Sequence, residues 1–334
     1  MRILILYNIA KQLKTGVETD LACEQEITII VPLVEAILKS KKYSVSTMGT
    51  DFNLWENLKI RKKKVDLVLN LAEAFGGGNT NETLVPEMLE ALEIPFTGAS
   101  GHNMHLTLDK EKTKLILMHY GIPAPKHQIF RSTEEKLKKG LQFPLIVKPI
   151  RQEASIGIYH DSVVSSRKQL YAKVAMVLEK YRQPALVEEF IEGREISVGI
   201  VGNEPEITLF PALEFVFPEA KSPFEKIRSY EYKWGGKKEQ MIRADLQRKT
   251  IKQLEHCTKV AYMATECRDY ARMDYRLDNA GNVYLLEVNY NPGIGPNTHG
   301  LNNTLTMMAS FVGFSFEDFV ERIILTAAKR CGLS

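Results

Sequence analysis

The sequence predicts an α/β domain followed by α+β structure, and three patterns indicate this division. In the first hundred residues, apolar strand segments alternate with helical segments, which is typical of a parallel sheet with crossover helices. The middle of the chain has a mixed order of strands and helices with Pro-rich punctuation. Near the C-terminus, "YARMDYRLD" and "NVYLLEVNY" flank the turn sequence "NAGN", which predicts an antiparallel hairpin. We therefore expect three domains, with boundaries at residues 1–98, 99–188 and 189–334.

Each predicted element follows from its hydrophobic period. Short apolar runs predict strands, and apolar residues three and four apart predict helices. The predicted strands of the N-terminal and central domains are RILILY, YSVSTMG, VDLVLNL, IPFTG, PLIVKP and PALVEEFI, and EISVGIVGN begins the C-terminal set. The predicted helices are EQEITIIVPLVEAILKS, ETLVPEMLEALE, a helix that ends at Gly121, SRKQLYAKVAMVLEKYR and FEDFVERIILTAAKR.

Composition limits the classes of function. The chain has 334 residues and a net charge of +3, which is too small for a nucleic-acid-binding surface. Its four cysteines have neither metal-ligand spacing nor the density of a disulfide framework. No apolar stretch reaches membrane-spanning length. The sequence therefore predicts a soluble cytoplasmic protein with no nucleic-acid or membrane partner.

An acid and an amide share one face of the last predicted strand. Glu287 and Asn289 are two residues apart, so their side chains lie on the same side, and the hairpin places Asp274 opposite them. Two carboxylates and an amide carbonyl form an all-oxygen set of the kind that Mg²⁺ prefers. The alternative is an acid pair on an exposed sheet face, but an unpaired carboxylate within "VYLLEV" would be costly to bury.

Two further segments suggest binding of a nucleotide. Lys148 ends an apolar strand, and a buried lysine needs an anionic partner such as a triphosphate, although its ammonium could instead reach solvent. In "LVEEFIEGRE", main-chain groups and nearby acids could bind an adenine and a ribose. Exposed acids in a turn would give the same pattern.

Taken together, these segments resemble the ATP-grasp carboxylate–amine ligases, most closely the D-alanine–D-alanine ligase family. The resemblance covers nearly the whole chain and implies an ATP-grasp fold, with ATP between the central and C-terminal domains. The motifs that carry it are IPFTG, LDKEKTK, GIPAP, FPLIVKP, VEEFIEGRE, SYEYKW, ARMDYRL and LLEVNYNPG.

The resemblance also implies roles for individual residues. The implied ATP-binding residues are Lys110, Lys148, Glu188, Phe190, Ile191, Glu195 and the loop lysine Lys233. The implied metal ligands are Asp274, Glu287 and Asn289, with Mg²⁺ as the expected ion and Mn²⁺ as the alternative. Arg272 and the backbone N–H of Gly293 are implied to stabilise the acyl phosphate and the tetrahedral intermediate.

The implied amino-acid pocket departs from the family pattern. A serine and a tyrosine of the family's hydrogen-bonded triad are replaced by Ala154 and Trp234, while its glutamate corresponds to Glu24. Glu73 lies near the position of a family histidine, and Asn303 lies near that of an acceptor-binding serine. We therefore expect a rebuilt substrate pocket beside intact ATP machinery.

The expected function is ATP-dependent joining of an amino-acid or peptide-like carboxylate to an amine through an acyl phosphate. The expected pair is not D-alanine with D-alanine, and an authentic D-alanine–D-alanine ligase is the main alternative. A nucleotide-binding module without catalysis and an ATP-grasp carboxylase are the other two, and the sequence leaves a homodimer open. His102 and His105 have a spacing that could suit a metal, but they lack a third ligand, and His299 falls in the implied acceptor segment.

Overall fold

A computed structural model describes residues 1–8, 14–18, 20, 26–76, 80–296 and 304–333. Within these ranges the chain forms three β-sheets flanked by helices. The strands are β1 Arg2–Tyr7, β2 Ser44–Gly49, β3 Leu67–Asn70, β4 His127–Phe130, β5 Leu145–Pro149, β6 Val163–Val164, β7 Ala185–Glu189, β8 Gly193–Val201, β9 Thr208–Leu209, β10 Leu213–Val216, β11 Gln240–Arg243, β12 Tyr270–Asp278 and β13 Val283–Asn289. The helices are α1 Ile27–Ser40, α2 Leu54–Arg61, α3 Leu84–Ala91, α4 Gly101–Leu108, α5 Lys110–His119, α6 Arg167–Tyr181, α7 Tyr230–Lys233, α8 Arg248–Ala264, α9 Thr304–Ser310 and α10 Phe316–Arg330.

The first sheet is parallel, as the alternating strands and helices predict. Its order is β2-β1-β3, and the apolar β1 is central with Leu4, Ile5 and Leu6 fully buried. The predicted strand at "IPFTG" is reduced to a single parallel bridge between Phe96 and Val68. Polar side chains at the carboxyl end of β3 therefore lie at the edge where parallel sheets bind ligands.

The second sheet has four antiparallel strands in the order β4-β7-β5-β6. Two helices precede it, because the chain turns at Asp109 rather than continuing as one helix. The Asp109 carboxylate caps α5 by accepting the N–H of Lys112, and Arg151 donates to its other oxygen at 2.7 Å. This cap places Lys110 at the start of α5 and Lys114 one turn further along the same face.

The third sheet has the order β11-β10-β8-β12-β13, with β9 paired to β8. The predicted hairpin is confirmed, and Asp274 lies directly opposite Glu287. The register shifts after Asp274, so Leu286 is an extra residue on β13 and the backbone bends there. This bulge turns backbone carbonyls of β13 towards α5.

The helices pack against the sheets through apolar faces, and α10 covers the core around β1 and α1. Within the described ranges, none of the helices could span a lipid bilayer. Among the described residues, Cys257, Cys267 and Cys331 form no disulfide. The domain boundaries given by the sequence remain predictions.

Candidate active site

A cleft of about 860 Å³ lies between the second and third sheets. Its walls come from β5, β7, β12 and β13, from the loop after β5, and from residues 221–238, which we call the lid segment. Ten of the residues singled out by the sequence line it: Lys148, Ala154, Glu188, Phe190, Ile191, Glu195, Lys233, Arg272, Asp274 and Glu287.

The floor of the cleft contains a buried group of two lysines and one glutamate. Lys148 Nζ lies 2.6 Å from Glu188 Oε2, and Lys114 Nζ lies 3.0 Å from Glu188 Oε1. Burial acts to raise the pKa of Glu188, but the charges of Lys114 and Lys148 outweigh it and lower the pKa to about 2. Two cations therefore face Glu188 at the floor of the cleft, and the carboxylate of Glu287 acts on both of them.

Lys114 was missed by the sequence reasoning, although its position one turn after Lys110 was a usable signal. Its Nζ also donates to the carbonyl of Leu286 in the bulge, at 2.6 Å. Burial lowers the pKa of Lys114 to about 8 against the attraction of Glu188. The glutamate carboxylate is thus engaged by lysines, so an adenine contact at this residue would use its backbone.

Lys110 connects the loop after β5 to strand β13. Its ammonium donates to the carbonyl of Gln152 and lies 3.5 Å from Glu287 Oε2. The Lys110 side chain is only 3% exposed. Lys110 therefore lies behind the cleft, in contact with two residues that line it, Gln152 and Glu287.

Arg272 and Asp274 form a bidentate pair on β12, with both N–O distances at 2.9 Å. Ser197 Oγ donates to Asp274 Oδ1, and Asn289 Nδ2 donates to Asp274 Oδ2 at 2.8 Å. Burial would raise the pKa of Asp274, but Arg272 outweighs it and the pKa is lowered. Both carboxylate oxygens are thus fully engaged by neighbouring donors.

Arg276 organises the opposite end of the cleft. It donates to the carbonyl of Ile191 at 2.9 Å, lies 3.2 Å from Glu195 Oε2, and packs over the ring of Phe190 with its guanidinium carbon 5.1 Å from the centroid. Arg276 was not singled out from the sequence. Its spacing from Arg272 and Asp274 on one strand face was the signal that could have found it.

The lid segment is docked on the loop after β5 by side-chain and backbone hydrogen bonds. Trp234 Nε1 donates to the carbonyl of Ala154 at 2.9 Å, and Ser155 Oγ donates to the carbonyl of Arg228 at 2.7 Å. Ala154 and Ser155 have φ values of 55° and 63°, a left-handed conformation that non-glycine residues rarely adopt. The two departures from the family pattern, at 154 and 234, therefore contact each other.

A second cavity, of about 550 Å³, adjoins the first sheet and the end of β13. Glu73 and Gly293 line it, together with Asn8, Glu26, Ile27, Ile30, Asn70, Leu71, Ala72, Tyr270, Asn291, Pro292 and Ile294. Desolvation raises the pKa of Glu73 to about 7, although the charge of Lys233 acts in the opposite direction. Glu24, Asn303 and His299 lie outside the described residues.

Of the two histidines considered as metal ligands, His105 is paired with a surface glutamate. His105 Nε2 lies 2.7 Å from Glu87 Oε1 at the surface. Across the described ranges, no three His, Cys, Asp or Glu side chains are grouped so that they could hold a metal ion.

Known proteins of one enzyme family are similar to this chain in sequence and in fold. Residues 116–325 match the family model described as D-ala D-ala ligase C-terminus. The chain is 31% identical over 319 residues to a D-alanine–D-alanine ligase of Carboxydothermus hydrogenoformans, covering 91% of this chain and 95% of that protein. It is 35% identical over 266 residues to the uncharacterized protein y4sG of Sinorhizobium fredii, covering 79% and 75%. The solved D-alanine–D-alanine ligase of Bacillus anthracis complexed with ATP superposes with a TM-score of 0.74 at 22% identity, covering 99% of each chain.

The fold and the cleft define an ATP-grasp enzyme, an ATP-dependent carboxylate–amine ligase. The chain belongs to the D-alanine–D-alanine ligase family.

Proposed function

We propose that the larger cleft holds ATP, that the second cavity holds a carboxylate donor, and that the two react beside the β12–β13 hairpin. One observation carries this proposal: the β12–β13 hairpin lines both spaces. Tyr270 of β12 faces the second cavity, while Arg272 and Asp274 of the same strand face the cleft. Likewise Glu287 of β13 faces the cleft, and Gly293, just beyond that strand, faces the second cavity.

The cleft supports ATP binding through charge and shape. Lys148 lines the cleft and would meet a triphosphate, while the buried Lys114 and Lys110 lie behind it as further cations. Phe190 offers an apolar surface for adenine, and the carboxylate of Glu195 suits ribose hydroxyls. Lys233 of the lid segment would close over the phosphates.

Asp274, Glu287 and Asn289 fit a Mg²⁺ ion in donor type, because all three offer oxygen. A carboxylate has about four lone-pair positions, and on Asp274 these are taken by Arg272, Ser197 and the amide N–H of Asn289. Turning the Asn289 amide would release one position and present its oxygen on the same side. When bound, the ion would neutralise charge on the transferring phosphoryl group.

The reaction has two steps. A donor carboxylate oxygen attacks the γ-phosphorus of ATP, and the bond to the β,γ-bridging oxygen breaks to give an acyl phosphate and ADP. The amine nitrogen then attacks the acyl carbon, the bond to the phosphate oxygen breaks, and phosphate leaves as the nitrogen loses its proton. Arg272 and the N–H of Gly293 would stabilise the negative charge that develops in these steps, and the remaining work of the protein is positioning.

We infer that D-alanine is not the favoured donor, because the two positions that depart from the family's triad contact each other beside the cleft and do not line the second cavity. Ala154 has no hydroxyl, and the indole N–H of Trp234 is already donated to the Ala154 carbonyl, so neither supplies the hydrogen bonds of the family's triad. A site that recognises its ligand by hydrogen bonds discriminates strongly against a mismatched one.

The experiment is a phosphate-release assay over amino acids and short peptides, with products identified by mass. In Arg272→Met, turnover should fall about a hundred- to a thousandfold while the KM for ATP changes little, since a donor to a developing oxyanion is lost. Arg194→Met is the matched control, because Arg194 pairs with Glu214 on the same sheet outside both cavities.

Three other results of these assays would contradict the proposal in different ways. An equal loss of turnover and ATP affinity would make Arg272 a binding residue. Dominant formation of D-alanyl-D-alanine from a mixed pool would identify an authentic D-alanine–D-alanine ligase. ATP binding without phosphate release from any substrate would favour a non-catalytic nucleotide-binding module.

A further inference from the structure

The backbone of Arg228, in the lid segment, is held against the wall of the cleft. Its N–H donates to Glu195 Oε2 at 3.2 Å, and its carbonyl accepts the hydroxyl of Ser155 at 2.7 Å. Glu195 and Ser155 both line the cleft, as Arg228 itself does. The placement of the Arg228 backbone therefore depends on residues that line the proposed nucleotide site.

The side chain of Arg228 is paired and nearly buried. Its Nε lies 3.0 Å from Glu239 Oε1, and its Nη2 lies 2.9 Å from the same oxygen. The two side chains are only 10% and 12% exposed. The guanidinium also lies over the ring of Phe215, with its central carbon 4.3 Å from the ring centroid. Because Glu239 and Phe215 fix the plane of the guanidinium, its remaining N–H groups have a defined direction.

One of these N–H groups reaches the start of α9. Arg228 Nη1 donates to Thr304 Oγ1 at 3.1 Å. Thr304 is the first residue of α9 and is 0% exposed, and its hydroxyl lies 3.9 Å from the sulfur of Met241. In the sequence, α9 directly follows the implied acceptor segment, which contains His299 and Asn303. Arg228 therefore links the wall of the cleft to the helix that follows this segment.

Building on the proposed function, we infer that Arg228 is a positioning residue that couples a nucleotide in the cleft to the start of α9, and through it to use of the acceptor amine. A bound nucleotide would stabilise the arrangement in which Glu195 and Ser155 hold the Arg228 backbone. The fixed guanidinium would then hold Thr304 through one directional hydrogen bond. A ligand shifts a conformational equilibrium only through contacts that differ between the two states, and this chain of contacts supplies such a difference.

Hydrogen exchange with and without ADP and Mg²⁺ tests the coupling. In the wild-type protein, we expect ADP to slow amide exchange in the lid segment and to slow it about fivefold in α9. Thr304→Val keeps the shape of the side chain and removes the hydroxyl. The lid segment should then still respond to ADP, while exchange in α9 should change by less than about twofold. Thr304→Ser, which keeps the hydroxyl, should restore the response of α9.

Thr306→Val is the matched control for this variant. Thr306 lies on the same helix and is 1% exposed, and its hydroxyl has no hydrogen-bond partner among the described residues. The ratio of α9 exchange rates with and without ADP should therefore equal that of the wild type. If Thr304→Val raised exchange equally with and without ADP, this ratio would stay at the wild-type value, and the inference would be overturned.

Trapping of the acyl phosphate separates the acceptor side of the reaction from the donor side. The nitrogen of hydroxylamine attacks the acyl carbon, phosphate leaves, the nitrogen loses a proton, and a hydroxamate forms. This small nucleophile needs no acceptor pocket. With ATP and a mixed pool of amino acids, Thr304→Val should form about tenfold less peptide than the wild type, as for loss of a hydrogen bond to a charged group. Hydroxamate formation should stay within about twofold of wild type.

These measurements also separate this inference from the proposed function. An equal fall in peptide and hydroxamate would place Thr304 on the donor side and overturn the inference. If ADP slowed exchange in the lid segment but not in wild-type α9, the inference would fail and the nucleotide site would stand. If ADP slowed exchange in both but neither peptide nor hydroxamate formed, the coupling would be supported and the ligase chemistry refuted. An absence of any response to ADP would overturn both proposals.

Discussion

The two cavities share a hairpin, but their charges are arranged in different ways. In the cleft, charged side chains are paired in advance, as Arg272 is with Asp274 and Arg276 with Glu195. In the second cavity, the buried amide N–H of Asn70 has no hydrogen-bond partner among the described residues. A site whose charged side chains are already paired suits a ligand with a constant pattern of charge, such as a triphosphate. A site with unpaired groups takes its partners from the ligand, so it determines which substrate is accepted.

The largest expected effect would come from removing a carboxylate of the cleft. Glu287→Gln keeps the shape of the side chain but removes its charge beside Lys110. We expect turnover to fall about a thousandfold, because a metal ion supplies several kcal/mol of charge stabilisation to phosphoryl transfer. The measurement is phosphate release across a Mg²⁺ titration.

Glu214→Gln is the matched control for this variant, since Glu214 lies on the same sheet and pairs with Arg194. Near-normal turnover of Glu287→Gln at saturating Mg²⁺ would remove Glu287 from the metal site. The proposed metal site in the cleft would then lose one of its two carboxylates.

A smaller effect, on stability, is expected from breaking the buried lysine–glutamate group. Glu188→Gln leaves Lys114 and Lys148 without their shared anion, and removing one partner of a buried pair typically costs about 3–5 kcal/mol in the free energy of unfolding. Urea denaturation at pH 7 measures it. In Glu189→Gln, the neighbouring and partly exposed acid, the loss should stay below about 1 kcal/mol.

The difference between wild type and Glu188→Gln should also depend on pH. The pKa of Glu188 is lowered in the folded protein from 4.5 to about 2, so its ionised form stabilises the fold above pH 4.5. That contribution is lost as the pH falls from 4.5 towards 2. If the stability difference were the same at pH 7 and pH 3, the pairing would not be its cause.

The smallest expected effect tests the docking of the lid segment. Trp234→Phe keeps the aromatic ring and removes the indole N–H that is donated to Ala154. A hydrogen bond contributes about 1 kcal/mol net, so the KM for ATP should rise about fivefold. Trp55→Phe on α2 is the control. An unchanged KM for ATP in Trp234→Phe would show that this hydrogen bond does not hold the lid segment.

Local pattern was enough to predict the elements that build the site. The turn at "NAGN" and the alternation around it predicted that Asp274 faces Glu287, and the register confirms it. Other features depend on residues far apart in sequence. The hydrogen bond from Lys114 to Leu286 requires a β-bulge that the segment "VYLLEV" does not predict. The hydrogen bond from Trp234 to Ala154 requires the lid segment to fold back over the loop after β5.

The second cavity also depends on residues far apart in sequence, so the sequence predicted less of it than of the cleft. Asn70 ends an apolar strand, and its unpartnered N–H depends on how the surrounding segments pack, which the sequence does not show. Glu26 lines the cavity, whereas Glu24, which the resemblance implies as the pocket glutamate, lies outside the described residues. Side-chain roles that depend on charge balance between segments require the three-dimensional arrangement.

The buried ammonium of Lys114 has a mechanical consequence. It bonds to Glu188 of the second sheet and to Leu286 of the third, so it joins the two walls of the cleft at their base. Pulling these walls apart would leave opposite charges stranded in an apolar environment, which is costly. The base therefore acts as a pivot, and opening takes place at the far rim, where the lid segment is held by hydrogen bonds to the loop after β5 and by packing of Trp234 against Ile156 and Tyr181. We expect the departure of ADP to follow the rate of lid movement, with the walls staying together through each turnover.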